Sequence, residues 1–146
     1  MKKDQRGYFL INIITALAIL ILVVGLSLPY IRNYQVNSKL SAEAREMAGN
    51  LRYAQQLSVT EQVVHGVEFD FFNNSYQVNR YGEATSTIRY VELDSEVEFH
   101  EINGLSENMV KFNFYGGVNE SGEVILNNVN TEAKVIIKPS GYVQLD

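Results

Sequence analysis

The chain has 146 residues, 17 acidic against 12 basic side chains, a formal net charge of −5 and no cysteine. The length suits one domain plus an appendage, and the missing cysteines exclude disulfide frameworks, Cys-ligated zinc and thiol catalysis. Setting aside the basic start (Lys2, Lys3 and Arg6 against Asp4) leaves a remainder more acidic than the whole, which gives no electrostatic footprint for nucleic acid.

From Tyr8 to Leu28 only Asn12, Thr15 and Ser27 are clearly polar. An apolar run of roughly 21 residues is longer than the about 7–15 of a secretory signal, and Gly25-Leu-Ser-Leu-Pro-Tyr30 offers no small-x-small cleavage site. As a helix the run is about 30 Å long, the thickness of a bilayer core. Lys2, Lys3 and Arg6 precede it and only Arg32 and Lys39 follow closely, so the charge bias on this single span predicts a cytoplasmic N-terminus and an exported head. Tyr30 and Tyr34 fall where interfacial aromatics anchor.

Helical periodicity continues beyond Pro29, which removes a backbone donor and is expected to bend the helix. Leu40, Ala44, Met47, Ala48, Leu51, Tyr53, Ala54 and Leu57 form an apolar stripe, with Glu43, Arg45, Glu46, Asn50, Arg52 and Gln56 in the other positions. Ser38 or Ser41 is placed to cap a restart after the polar stretch Arg32 to Lys39. The two halves make about 50 residues of near-continuous helix, about 75–80 Å long if unbroken.

From Val63 the period switches towards two. His65, Val67, Phe69 and Phe71 alternate with Gly66, Glu68 and Asp70; Asn73-Asn74 marks a turn, and Tyr76–Tyr81 completes a hairpin. Further strands are predicted at Ile88–Leu93, Val97–Ile102, Met109–Tyr115, Glu123–Leu126, Ala133–Lys138 and Tyr142–Leu145, punctuated by Gly82, Asn103-Gly104, Gly116-Gly117, Ser121-Gly122 and Pro139-Ser-Gly141. The predicted fold class is α+β: a long N-terminal helix, half transmembrane and half amphipathic, packed on an antiparallel β-sheet head.

The head shows no catalytic pattern. His65 and His100 stand alone without metal-ligand spacing and read as partly exposed strand residues. Ser121-Gly122 and Ser140-Gly141 lack the G-x-S-x-G context and read as turns. Asp70, Asn73 and Asn74, and separately Asn127, Asn128 and Asn130, offer oxygen donors for a cation, but neither set has EF-hand spacing and asparagine clusters commonly mark turns.

Lys2-Lys3-Asp4-Gln5-Arg6-Gly7, followed by Tyr8-Phe9-Leu10-Ile11-Asn12, resembles the leader cut by a prepilin peptidase. Leu51-Arg-Tyr-Ala-Gln-Gln-Leu-Ser58, Gly122-Glu-Val-Ile-Leu126 and Lys134-Val-Ile-Ile-Lys-Pro-Ser-Gly-Tyr-Val-Gln-Leu145 are similar to GspH/FimT-type minor pseudopilins. The resemblance implies a leader (1–7), a transmembrane or filament-core helix (8–29), an amphipathic extension (30–61) and a β head (62–146). It further implies cleavage between Gly7 and Tyr8, N-methylation of Tyr8, a helix-kinking role for Pro29, and no cofactor or enzymatic activity. The implied function is that of a structural subunit of a type II secretion pseudopilus, a type IV pilus or a competence pilus. Its implied partners are other pilins through the N-terminal helix, the prepilin peptidase, and an assembly platform in the inner membrane driven by a cytoplasmic ATPase. One departure stands out: the fifth mature position, where the family has Glu, is Asn12. An uncharged residue there points away from an abundant major subunit and towards a place near a filament tip. Two other readings compete: a single-pass membrane-anchored extracellular binding or sensing module, and an anchored hydrolase. An unprocessed leader would favour these over a pilin.

Overall fold

The computed structural model describes the backbone from Asp4 to Asp146, and side chains from Tyr8 onward other than those of Leu28 and Pro29. The first three leader residues therefore lie outside the described residues, as does the Pro29 side chain on which the expected bend falls. By packing the chain divides into two units, Met1–Gln35 and Val36–Asp146. One helix, α1 (Asp4–Glu61), contributes to both.

Within Val36–Asp146, the helix buries Leu40, Ala44, Met47, Ala48, Leu51 and Ala54. Their spacing of three and four residues keeps them on one face. Each large apolar side chain so buried stabilises by about 1.5–3 kcal/mol. Two expectations on this helix fail. Ser38 and Ser41 cap nothing, because the helix runs through them; extending an existing helix costs far less than nucleating a new one. Tyr53 sits off the stripe and is partly exposed, whereas Asn50, assigned by its polarity to the outer face, is only 3 % exposed. The helix stops after Glu61, where Gln62 turns left-handed (φ 54°) and its amide caps the Val59 carbonyl at 2.7 Å.

Eight strands follow: β1 (Val64–Asp70), β2 (Ser75–Tyr81), β3 (Thr85–Glu92), β4 (Glu98–Asn103), β5 (Met109–Phe112), β6 (Gly122–Asn127), β7 (Glu132–Ile137) and β8 (Val143–Leu145). They form two four-stranded antiparallel sheets, ordered β3-β2-β1-β5 and β4-β6-β7-β8. Val67, Phe69, Tyr76, Val78, Val110 and Phe112 from the first sheet join Phe99, Val124, Leu126, Val135, Ile137 and Val143 from the second in one core with the helix stripe.

Strand β5 ends at Phe112 rather than at Tyr115. The Asn113 side-chain oxygen accepts the amides of Tyr115 (2.9 Å) and Gly117 (3.1 Å), which folds the chain into a turn. Strand β3 begins at Thr85, earlier than periodicity indicated, because a bulge leaves Ile88 without a partner between the pairs Val78–Arg89 and Asn79–Thr87. β3 is an edge strand with little burial. Its Arg89 guanidinium turns to the helix, donating to Asn50 Oδ1 at 2.8 Å and lying over the Tyr53 ring.

Polar contacts fasten the helix to the strand connections along its length. Asn128 donates to the Val36 carbonyl (3.2 Å), Lys39 meets Asp94 (3.2 Å) and Glu96 (2.7 Å), Arg52 donates to the Val143 carbonyl (2.9 Å), and Gln55 donates to the Gly116 carbonyl (2.7 Å). Arg52 and Gln55 bond backbone carbonyls, so they fix loop position as well as adding energy.

Candidate functional site

Between Tyr8 and Ile31 the helix carries no charged residue, and its mean hydropathy reaches 2.9 over 18 residues. Its large side chains from Tyr8 to Leu26 are all exposed, Tyr8 by 71 %. They point in every direction, and a helix apolar on all faces belongs in a bilayer or a protein core. Moving each large side chain out of water is worth about 1.5–3 kcal/mol. Among the described residues this is the one helix long and apolar enough to cross a membrane.

The helix is also prepared for an apolar medium in its polar groups. Thr15 Oγ1 donates to the Ile11 carbonyl and Ser27 Oγ to the Val23 carbonyl, each at 2.8 Å. Neither hydroxyl then needs water. Asn12 differs: its side chain is exposed and has no hydrogen-bond partner among the described residues. It therefore presents both an amide donor and a carbonyl acceptor one helical turn from Tyr8. Gly7 and Tyr8 lie within the first turns of α1. Glycine weakens a helix by about 1 kcal/mol relative to alanine.

The other sequence candidates resolve into structural roles. His65 is fully buried, not partly exposed as its strand position suggested. Its Nδ1 lies 2.8 Å from the Val63 carbonyl, which can only accept, so Nδ1 carries the proton. Its Nε2 faces Glu61 at 3.4 Å, and Arg80 holds that carboxylate at 3.2 Å. His100 is exposed, 3.8 Å from Glu132. The Asp70 carboxylate accepts the amides of Phe72 and Asn73 and the Asn73 side chain, and the Asn128 oxygen accepts the amides of Asn130 and Thr131. Both oxygen clusters thus serve turns. The Asn73 side chain is the main cause holding the Asp70 carboxyl below its ordinary pKa. Among the described residues no group of three His, Asp or Glu is gathered for a metal.

Sequence reasoning missed the Asn50 junction. Arg89 must donate, so it takes Asn50 Oδ1, and Nδ2 is left to donate to the Tyr76 hydroxyl at 2.8 Å. Position 50 is three residues past Met47 and four before Ala54, a spacing that puts it on the buried face. That spacing was the signal available.

The sequence matches no protein-family model and no curated protein. Solved structures do match. The minor pseudopilin EpsH from the type 2 secretion system of Vibrio cholerae aligns with TM-score 0.64 at 10 % identity, over 73 % of this chain and 95 % of EpsH. The type IV minor pilin FimU of Pseudomonas aeruginosa aligns with TM-score 0.63 at 12 % identity, over 77 % of this chain and 92 % of FimU. Likeness at this identity establishes the fold: the chain has the α+β fold of type IV pilin-like minor subunits, one long N-terminal helix packed on antiparallel sheets.

Proposed function

We propose that the chain is a minor pilin or pseudopilin, a structural subunit without catalytic activity. The observation that carries this reading is α1 itself. Its Tyr8–Leu26 stretch is bare and apolar all round, while its Leu40–Ala54 stretch is a core element of an α+β fold shared with minor pilins. Such a helix is stable in lipid and equally stable against other apolar helices, because lipid tails and leucine are alike in polarity and association rests on packing. The subunit waits in the cytoplasmic membrane with its head exported, then exchanges lipid for neighbouring helices as a filament is assembled on an inner-membrane platform.

Processing comes first in this reading. A prepilin peptidase cuts between Gly7 and Tyr8 and the Tyr8 amine is methylated. A carboxylate one turn into the helix costs about 2.5–3.5 kcal/mol to insert and is repaid by a neighbour's amine, worth about 4 kcal/mol at 4 Å and an effective dielectric near 20. Asn12 avoids the cost and forgoes the pair, keeping a hydrogen bond to an amine. That suits a subunit near the filament tip rather than one repeated along the shaft. The fold is compatible with a secretion pseudopilus, a type IV pilus or a competence pilus.

Co-expression with a prepilin peptidase, followed by mass spectrometry of the mature N-terminus, tests the reading. Loss of residues 1–7, abolished when Gly7 is replaced, is the expected result. An intact leader sinks the proposal and favours a membrane-anchored binding module. An Asn12→Glu variant incorporated at an unchanged position removes the argument for the tip.

A further inference from the structure

The Val36–Asp146 unit contains an open groove that none of the roles above uses. It has a volume of about 360 Å3 and lies on the outer side of the first sheet, wholly within Val36–Asp146. Strand register explains its composition. Glu68, Gln77 and Tyr90 stand opposite one another across β1, β2 and β3, and two residues further along Asp70, Ser75 and Glu92 form the next row on the same side. Phe72, at the tip of the β1–β2 turn, is 99 % exposed, and Tyr90 on the facing wall is 59 % exposed.

Three features give the groove a chemical preference. Its carboxylates are pre-oriented: Glu68 Oε2 accepts the amides of Gln77 (2.9 Å) and Asn79 (3.0 Å), leaving Oε1 unengaged, and Asp70 is held by its own turn. Ser75 lines the groove while only 1 % exposed. No basic residue lines the groove, although Val36–Asp146 holds sixteen acidic and eight basic side chains. The nearby bases are engaged elsewhere: Arg80 with Glu61, Arg89 with Asn50, Lys111 over the Tyr81 ring at 4.6 Å.

We propose that this groove binds a cationic side chain, arginine or lysine, presented by an extended segment of a partner protein. The aromatic faces of Phe72 and Tyr90 receive the cation from the sides, within about 6 Å. Glu68 and Asp70 supply its countercharge, and the Ser75 oxygen accepts one of its N–H groups. A neutral sugar would use the aromatic walls and the hydroxyl but not the charge. The inference goes beyond the assembly role and is independent of it, since the groove lies outside the apolar helix.

The chain has no tryptophan, so Phe72→Trp in the full-length protein, held in a zwitterionic detergent, places a single tryptophan at the groove, excited at the red edge where tyrosine does not absorb. Titration with a capped tetra-arginine peptide should give a saturable change in emission. Binding should weaken at least tenfold with Glu68→Gln plus Asp70→Asn, and also with Tyr90→Ala, whose exposed ring is removed without loss to the core. It should be unchanged by Glu101→Gln plus Glu132→Gln, an equal loss of charge on the other sheet. The proposal is overturned if a tetra-citrulline peptide or a neutral oligosaccharide binds as tightly, if the distant pair weakens binding as much as the groove pair, or if the fluorophore does not respond.

Discussion

Replacing Asn50 with alanine tests whether helix and first sheet are joined by a polar junction inside the core. The Tyr76 ring is almost wholly buried, and burial pushes the pKa of its hydroxyl up to about 12. Asn50→Ala removes the only side chain bonded to that hydroxyl among the described residues. A buried polar group left without a partner costs about 1–3 kcal/mol. Arg89 also loses its acceptor, but its exposed guanidinium regains water and keeps the Tyr53 ring, so this loss adds about 1 kcal/mol at most. The expected destabilisation is about 2–4 kcal/mol, a fall in melting temperature of about 10–20 °C for a domain of this size. The assay is thermal unfolding of the full chain in detergent, followed by near-ultraviolet circular dichroism, with Tyr76→Phe completing a double-mutant cycle. In the Asn50→Ala background Tyr76→Phe should cost nothing or restore stability, because it deletes the orphaned hydroxyl. If Asn50→Ala lies within about 0.5 kcal/mol of wild type, or if Tyr76→Phe costs the same in both backgrounds, the junction does not hold the core in the way its geometry implies.

Two glycines should respond in opposite directions to alanine. Gly141 has φ +79°, and a Cβ there would run into the Gly116 carbonyl oxygen and crowd the Gln55 amide, so Gly141→Ala should destabilise by about 2 kcal/mol or more and speed hydrogen exchange in β8. Gly49, mid-helix with nothing within 4 Å of its added Cβ, should gain about 0.5–1 kcal/mol in the same melts. Acid should weaken the Val36–Asp146 unit. Hydrogen bonds hold the folded pKa values of Asp70 (chiefly from Asn73), Asp94 (chiefly from the Glu96 amide) and Glu120 (chiefly from the Ser106 amide) below their ordinary values. As pH falls the unfolded chain binds those protons first, so the stability they give is complete above about pH 4.5 and declines through the lowered values; melting midpoints across a pH series check this. Glu43 acts in reverse: burial raises its pKa, its contribution is lost as pH rises through that value, and Glu43→Gln should raise stability near pH 7.

The sequence was most legible where pattern and local chemistry agree. The apolar run Tyr8–Leu28 declares a helix that cannot rest in water, and alternation broken by Asn73-Asn74, Asn103-Gly104 and Pro139-Ser-Gly141 located every strand within a few residues. What pattern could not carry was partnership between distant segments. That eight strands divide into two sheets depends on which edges meet, and β3 and β4, neighbours in sequence, go to different sheets. Asn50 and His65 were misjudged for one reason: residue type was taken as a guide to exposure, while burial depended on Tyr76 and Arg89 arriving from one side and on Val63 and Glu61 enclosing the other. The groove was invisible in one dimension, since Glu68, Gln77 and Tyr90 become neighbours only through a register that the Ile88 bulge helps to set.

The irregular rim formed by β3 bears on life at high density. Molecules confined to a two-dimensional film meet far more often than the same number in bulk, and a straight, unguarded strand would invite them to zip together along it. The unpaired Ile88 interrupts the repeat of free amides and carbonyls, and the exposed Arg89 beside it places a charge on that margin. An edge broken in this way is a poorer template for head-to-head strand pairing than a straight one would be.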